Sequence, residues 1–188
     1  IYPLNALATD QSKRIAELIH NSPELRGNVT AGMYVGGLER TPSRTMSEHG
    51  IITDHETLLN SPPDILLTNY KMLDYLLVRP KDALLWKQNN PETLKYIAVD
   101  ELHTFDGAQG TDLACLLRRL KRRLGIYDGY LCCIGTSATM GSKENSGAIL
   151  NYAEEIFGEP FERDAVITED RLSADEFFAG QSTAFFAL

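Results

Sequence analysis

Two acids and a histidine, Asp100-Glu101-Leu102-His103, follow directly on the apolar run Tyr96-Ile97-Ala98-Val99. An Asp at the end of a buried strand can hold Mg²⁺ directly or through water. A neighbouring Glu can orient or activate the water that attacks a phosphate. Taken alone, the pair is first of all the mark of two solvated carboxylates at a strand end. A metal-only cluster of Asp100, Glu101, His103 and Asp106 is a third reading, although it lacks the spacing of a zinc motif. A second polar run, Thr136-Ser137-Ala138-Thr139, closes another apolar stretch, Tyr130 to Gly135. Its small hydroxyls can hydrogen-bond the neighbouring strand's carboxylate or His103, and can also simply cap a helix. Tyr2 to Ala8, with Gln11 and Arg14, and the triplet Thr68-Asn69-Tyr70 both run into helical patterns. Helix N-termini offer free N–H groups to a phosphate.

These residues need elements to hold them. Ala6 to Asn21 has helical spacing, with Leu7, Ile15, Leu18 and Ile19 on one face and Asn5 as its N-cap. Val29 to Val35 reads as a strand broken by Gly36-Gly37, and residues 38–54 as a loop region. Asp64 to Thr68 reads as a buried strand, and Asn69 to Val78 as a helix stopped by Pro80. Tyr96 to Val99 is the next strand. Gln109 to Leu124 is a helix with Leu113, Leu116, Leu117, Leu120 and Leu124 on one face and Gly125 at its end. Tyr130 to Gly135 is a further strand, and Glu144 to Phe157 a further helix. Apolar strands alternating with helices predict a mostly parallel sheet covered on both faces, a three-layer α/β architecture. Ligands of such sheets sit beyond the carboxyl ends of the strands, where all four polar clusters fall.

Composition bounds the rest. The chain has 188 residues, 43% of them hydrophobic and 23% charged, so it can build a sizeable core. No apolar run reaches the ~18 residues that span a bilayer, which argues against a membrane role. Net charge is -8, which argues mildly against a free-standing nucleic-acid binder, although phosphate contacts depend on local placement. Three cysteines, two of them adjacent at Cys132 and Cys133, form neither a disulfide framework nor a CxxC pair. They are expected as small core residues in a reducing, cytoplasmic setting. The start at Ile1, without Met or a leader pattern, reads as a chain beginning mid-protein.

The clusters also have an order: aromatic-Pro-x-x-Ala-Leu-x-x-Asp-Gln, Gly-Gly, Thr-Asn-Tyr-x-Met-Leu, Asp-Glu-x-His, Ser-Ala-Thr. That order resembles the first RecA-like, ATP-binding lobe of superfamily 2 DExH/DEAD-box helicases. Asp100-Glu101-Leu102-His103 is similar to motif II and Ser137-Ala138-Thr139 to motif III. Tyr2 to Arg14 is similar to motif Ia, and Thr68-Asn69-Tyr70 to motif Ib. The run from Asp100-Glu101-Leu102-His103-Thr104-Phe105 to Leu117-Arg118-Arg119-Leu120 is similar to the YprA-like branch of DNA helicases.

The resemblance implies roles. Asp100 would coordinate Mg²⁺ on the phosphates of ATP, and Glu101 would act on the attacking water. His103, with Ser137, Ala138 and Thr139, would couple that site to the nucleic-acid track. Pro3, Asn5, Gln11, Arg14, Gly36, Gly37, Thr68, Asn69 and Tyr70 would line the backbone of one DNA strand, without reading sequence. The basic run Arg118 to Arg123 is expected as a solvated or partner-facing helix surface. The family's phosphate-cradling GxxxxGK loop does not occur in this sequence. The lobe is therefore expected to be incomplete, lacking its first strand and P-loop, and inactive alone. It would belong to a larger helicase with a second RecA-like lobe. Residues 1–158 would form the lobe and residues 159–188 a Phe-rich connection towards the second. A non-catalytic scaffold lobe that binds nucleic acid or a protein partner is the alternative.

Overall fold

The computed structural model describes residues 1–37, 41–138 and 146–168. Four short strands and five helices alternate along them: α1 (Asn5–Asn21), β1 (Ala31–Tyr34), α2 (His55–Asn60), β2 (Ile65–Thr68), α3 (Tyr70–Val78), β3 (Tyr96–Val99), α4 (Gly107–Leu124), β4 (Cys132–Gly135) and α5 (Ser146–Phe157). Two 3-10 turns, Pro80–Trp86 and Leu102–Thr104, sit between them. The sequence pattern anticipates every strand to within three residues. It does not anticipate α2 or the Pro80–Trp86 turn, both too short to show a period. The expected start of α5 at Glu144 and the tail beyond residue 168, with Phe177, Phe178, Phe185 and Phe186, lie outside the described residues.

All strand pairing between named strands is parallel, β1 with β2 and β3 with β4. The first two residues join the pairs. Tyr2 N–H donates to Thr68 O at 2.9 Å on the β2 side, and Asp100 N–H donates to Ile1 O at 2.9 Å on the β3 side. Beyond β1, Met33 N–H donates to Ile52 O and Ile52 N–H to Ala31 O. The spatial order is thus residue 52, β1, β2, residues 1–2, β3, β4.

The layers differ along this sheet. Ala31, Met33, Val35 and Leu67 meet α1 on one face, while Tyr34 and Leu66 meet Leu58 of α2 and Leu76 of α3 on the other. Under β3, Ile97 and Val99 are buried with the leucine face of α4 and with Ile156 and Phe157 of α5. Tyr96, Ala98, Cys132 and Ile134 point away and are exposed among the described residues. Among the described residues the three-layer arrangement is therefore complete over β1–β2 and two-layered over β3–β4. The leucine face of α4 is buried as the spacing predicts. Each such side chain contributes about 1.5–3 kcal/mol of burial.

Three expectations are corrected here. Helix α1 docks through Ala8, Ser12, Ala16 and Ile19, leaving Leu18 61% exposed. A stripe of small residues lets helix and sheet approach closely, with Ile15 half-buried at its margin, whereas apolar size alone points also to Leu18. The cysteines are not core residues: Cys115 and Cys132 are exposed and Cys133 is half-buried, its thiol pushed up to about 12 by desolvation. The basic run on α4 is a solvated surface at Arg118, Arg119, Arg122 and Arg123, as expected, and departs from it at Lys121. Arg119 pairs with Asp74, Arg123 donates to Leu77 O at the end of α3, and Arg118 donates to Glu155 O on α5. Lys121 is buried, donating to Gly158 O at 2.9 Å and pairing with buried Glu159 at 2.8 Å. These groups clamp α4 to both neighbouring helices.

Candidate functional site

Buried Ile97 and Val99 fix β3 under α4, and the strand delivers Asp100 to its carboxyl end. The chain must then turn sharply. Glu101 takes φ 52° and ψ 47°, the left-handed region, and is alone among the described non-glycine residues in having a positive φ. Such a conformation costs about 1–3 kcal/mol and persists only where the surroundings impose it. Here they do. Leu102 N–H donates to Thr136 O at 2.8 Å, and the Thr104 hydroxyl donates to Glu101 O at 2.8 Å. Leu102 is buried directly over Gly135, where an added Cβ would stand 2.6 Å from the leucine methyl.

The next strand end supplies the polar partner. The Thr136 hydroxyl donates to Asp100 Oδ1 and accepts from Glu101 N–H at 3.3 Å. One hydroxyl thus sets both the carboxylate of Asp100 and the backbone of Glu101. Ser137 Oγ and His103 Nδ1 are hydrogen-bonded at 2.9 Å, and Glu101 Oε2 lies 3.4 Å from the same nitrogen. Asp100, Glu101, His103 and Ser137 therefore form one cluster, as expected. Ala138 is exposed beside it, and Thr139 lies outside the described residues. Thr136 carries the contact to the Asp100 carboxylate, although the motif III likeness places weight on the three residues after it.

A groove of about 580 Å³ opens next to this cluster. Pro3, Asn5, Gly36, Asn69, Tyr70 and Glu101 line it. Asn5 is not the N-cap of α1: Leu4 holds that position, and the Asn5 amide donates to Gly36 O at 2.9 Å instead. Asn69 caps α3 by accepting from Met72 N–H at 2.7 Å, and its amide donates to Asn5 Oδ1 at 2.6 Å. Two side-chain amides thereby tie together three chain segments that are 31 and 64 residues apart. Tyr70 meets Phe105 edge-on at 5.4 Å, linking the groove to the turn after the acids.

Four expected residues stand elsewhere. Thr68 is buried and its hydroxyl donates to Tyr34 O at 2.8 Å, so it braces two strand ends. Gly37 sits in the exposed turn with φ +76° and does not line the groove. Gln11 and Arg14 lie farther along α1, outside the groove, with Arg14 paired to Asp10 at 3.4 Å on the surface. Conversely, Lys71, Tyr75 and Gln109 do line it and were not anticipated. Lys71 and Tyr75 stand four residues apart, which places them on one face of α3.

Among the described residues, no three His, Cys, Asp or Glu side chains converge to hold a metal ion. The metal-only reading of Asp100, Glu101, His103 and Asp106 is thereby excluded for that geometry. A single hard carboxylate with one oxygen fixed by a hydroxyl suits Mg²⁺, which commonly takes one or two carboxylates and completes its shell with water and phosphate. No described helix is long and apolar enough to cross a membrane.

Comparison with known proteins gives a consistent picture. The model of the DEAD/DEAH box helicase family matches residues 1–146. The "Uncharacterized ATP-dependent helicase YprA" of Bacillus subtilis (strain 168) is 29% identical over 162 residues, 85% of this chain and 18% of that protein. The Druantia protein DruE of Escherichia coli (strain UMEA 4076-1) is 37% identical over 115 residues, 57% of this chain and 6% of that one. The crystal structure of the DUF1998 helicase MrfA bound to DNA and AMPPNP superposes with a TM-score of 0.58 at 29% identity, covering 85% of this chain and 19% of MrfA. The chain thus spans under a fifth of the length of each.

Proposed function

The chain belongs to the DEAD/DEAH box helicase family, and from that premise we propose that the intact protein is an ATP-dependent helicase or translocase acting on DNA. In this reading the chain supplies part of the first RecA-like lobe of the motor, and a second such lobe completes it. The single observation that carries the proposal is that Glu101 belongs to two places at once. It stands in the carboxylate cluster with His103 and Ser137, and it lines the groove with Asn5, Gly36, Asn69 and Tyr70. Nucleotide chemistry and strand contact would therefore share a wall.

ATP with Mg²⁺ supplies the phosphoanhydride bond that is broken. Asp100 would hold the metal, its carboxylate oriented by Thr136. Glu101 would orient and deprotonate the attacking water. His103 and Ser137 would pass a change at Glu101 to the far strand end. Asn5, Gly36, Asn69 and Tyr70 would contact the DNA backbone independently of sequence. The choice of DNA leans on the likeness to MrfA. The test is the ATP hydrolysis rate of the intact protein with and without single-stranded DNA. Stimulation by DNA, with unwinding lost more than hydrolysis in Ser137→Ala, is the expected result. Absent hydrolysis would favour a scaffold lobe, and hydrolysis indifferent to DNA would overturn the DNA motor.

A further inference from the structure

The groove continues past the residues assigned above, onto the outer face of α3. Lys71 and Tyr75 are one helical turn apart and both line it. Tyr75 is 55% exposed, yet it is not left loose. The Arg79 guanidinium lies over its ring, 5.4 Å from the centroid. Arg79 is itself anchored, with its Nε 2.6 Å from Oδ2 of fully buried Asp82, whose other oxygen accepts from Tyr34 OH at 3.0 Å. Pocket, ring, cation and buried acid thus form a graded series from solvent to core. The buried end fixes the orientation of the exposed end.

A rigid, exposed aromatic ring backed by a cation, with a lysine one turn away, is the equipment for holding one base and one phosphate of a single strand. Stacking tolerates any base, and its geometric demand is a fixed platform. Arg79 holds that platform in place through the attraction between its charge and the ring. Asp74, the acid between them on α3, is occupied by Arg119 and so does not oppose a phosphate at this face unpaired. We propose that Tyr75 is a stacking platform for one nucleobase of single-stranded DNA leaving the Asn5–Gly36–Asn69 groove, and that Lys71 meets the adjoining phosphate. The assignment rests on the reading that this groove takes DNA.

Binding of labelled oligo-dT, and of an abasic oligonucleotide of equal length, to the intact protein separates the contributions. Tyr75→Ala weakens oligo-dT binding by about tenfold and leaves the abasic strand unchanged, because only a base can stack. Tyr75→Phe keeps the ring and binds as the wild type does. Lys71→Ala weakens both strands and lowers the salt slope by about 0.7, one phosphate's share for a single strand. Equal losses on both strands in Tyr75→Ala, or no loss, would overturn the platform while leaving the groove intact. A wild type that binds neither strand would overturn the groove reading and the platform with it.

Discussion

The Thr136 hydroxyl donates to Asp100 and accepts from the Glu101 backbone, joining the ends of β3 and β4 at the point where both acids are presented. Thr136 is exposed, so this bond orients the acids without contributing a core contact. Thr136→Val keeps the shape and removes the hydroxyl. A hydrogen bond to a charged group contributes about 1.5–3 kcal/mol, so ATP hydrolysis falls by about tenfold or more. Thr136→Ser, which returns the hydroxyl, restores it. Wild-type hydrolysis in Thr136→Val would remove the orienting role.

Asn69 does two jobs that can be separated. Its carbonyl oxygen caps α3, and its amide holds Asn5. Asn69→Ala loses both, with about 1 kcal/mol of stability from the cap. Asn69→Ser keeps a capping oxygen but is too short to reach Asn5, so its stability returns. DNA affinity stays about fivefold low in both variants, the share of one hydrogen bond. Recovery of affinity together with stability in Asn69→Ser would show that the amide tie is only structural.

Much of this arrangement is legible in the sequence, and the remainder divides by range. Tyr96 to Val99 is found to the residue because an apolar run ends abruptly in two acids, a purely local signal. Asn5 is misread as a cap because its true partner, Gly36 O, lies 31 residues away. A capping type next to a helix start gives no hint of a distant carbonyl. Lys121 reads as surface, like its arginine neighbours, because its acceptors come from the segment after α5. Asp82 carries no periodic signal in the sequence, yet it is fully buried, because the Tyr34 phenol comes from β1, 48 residues away, to donate to it while Arg79 pairs with it locally. Leu18 and the small-residue face of α1 show the same limit, because periodicity marks a face without saying how close the sheet will come.

The buried phenol of Tyr34 gives the fold a signature at high pH. Desolvation first, and then the bond to Asp82, push its pKa from 10.0 up to about 12. The folded chain therefore holds this proton more tightly than the unfolded chain does. The associated stability is fully present below pH 10 and is lost as pH rises towards 12. Denaturant unfolding across that window shows a falling midpoint in the wild type. In Tyr34→Phe the fall is shallower, with a lower midpoint at neutral pH from the lost hydrogen bond. Parallel curves for the two proteins would place the phenol in water.

Glu101 is the residue on which the motor reading turns, because it stands in the carboxylate cluster and in the groove wall together. The decisive measurement is the ATP hydrolysis rate of the intact protein at saturating single-stranded DNA, wild type against Glu101→Gln. The substitution preserves size and hydrogen bonding and removes the base that acts on water. Loss of a positioned base predicts a fall of at least ~100-fold with ATP binding retained. An unchanged rate in Glu101→Gln would contradict the assignment of this strand end as the hydrolytic centre.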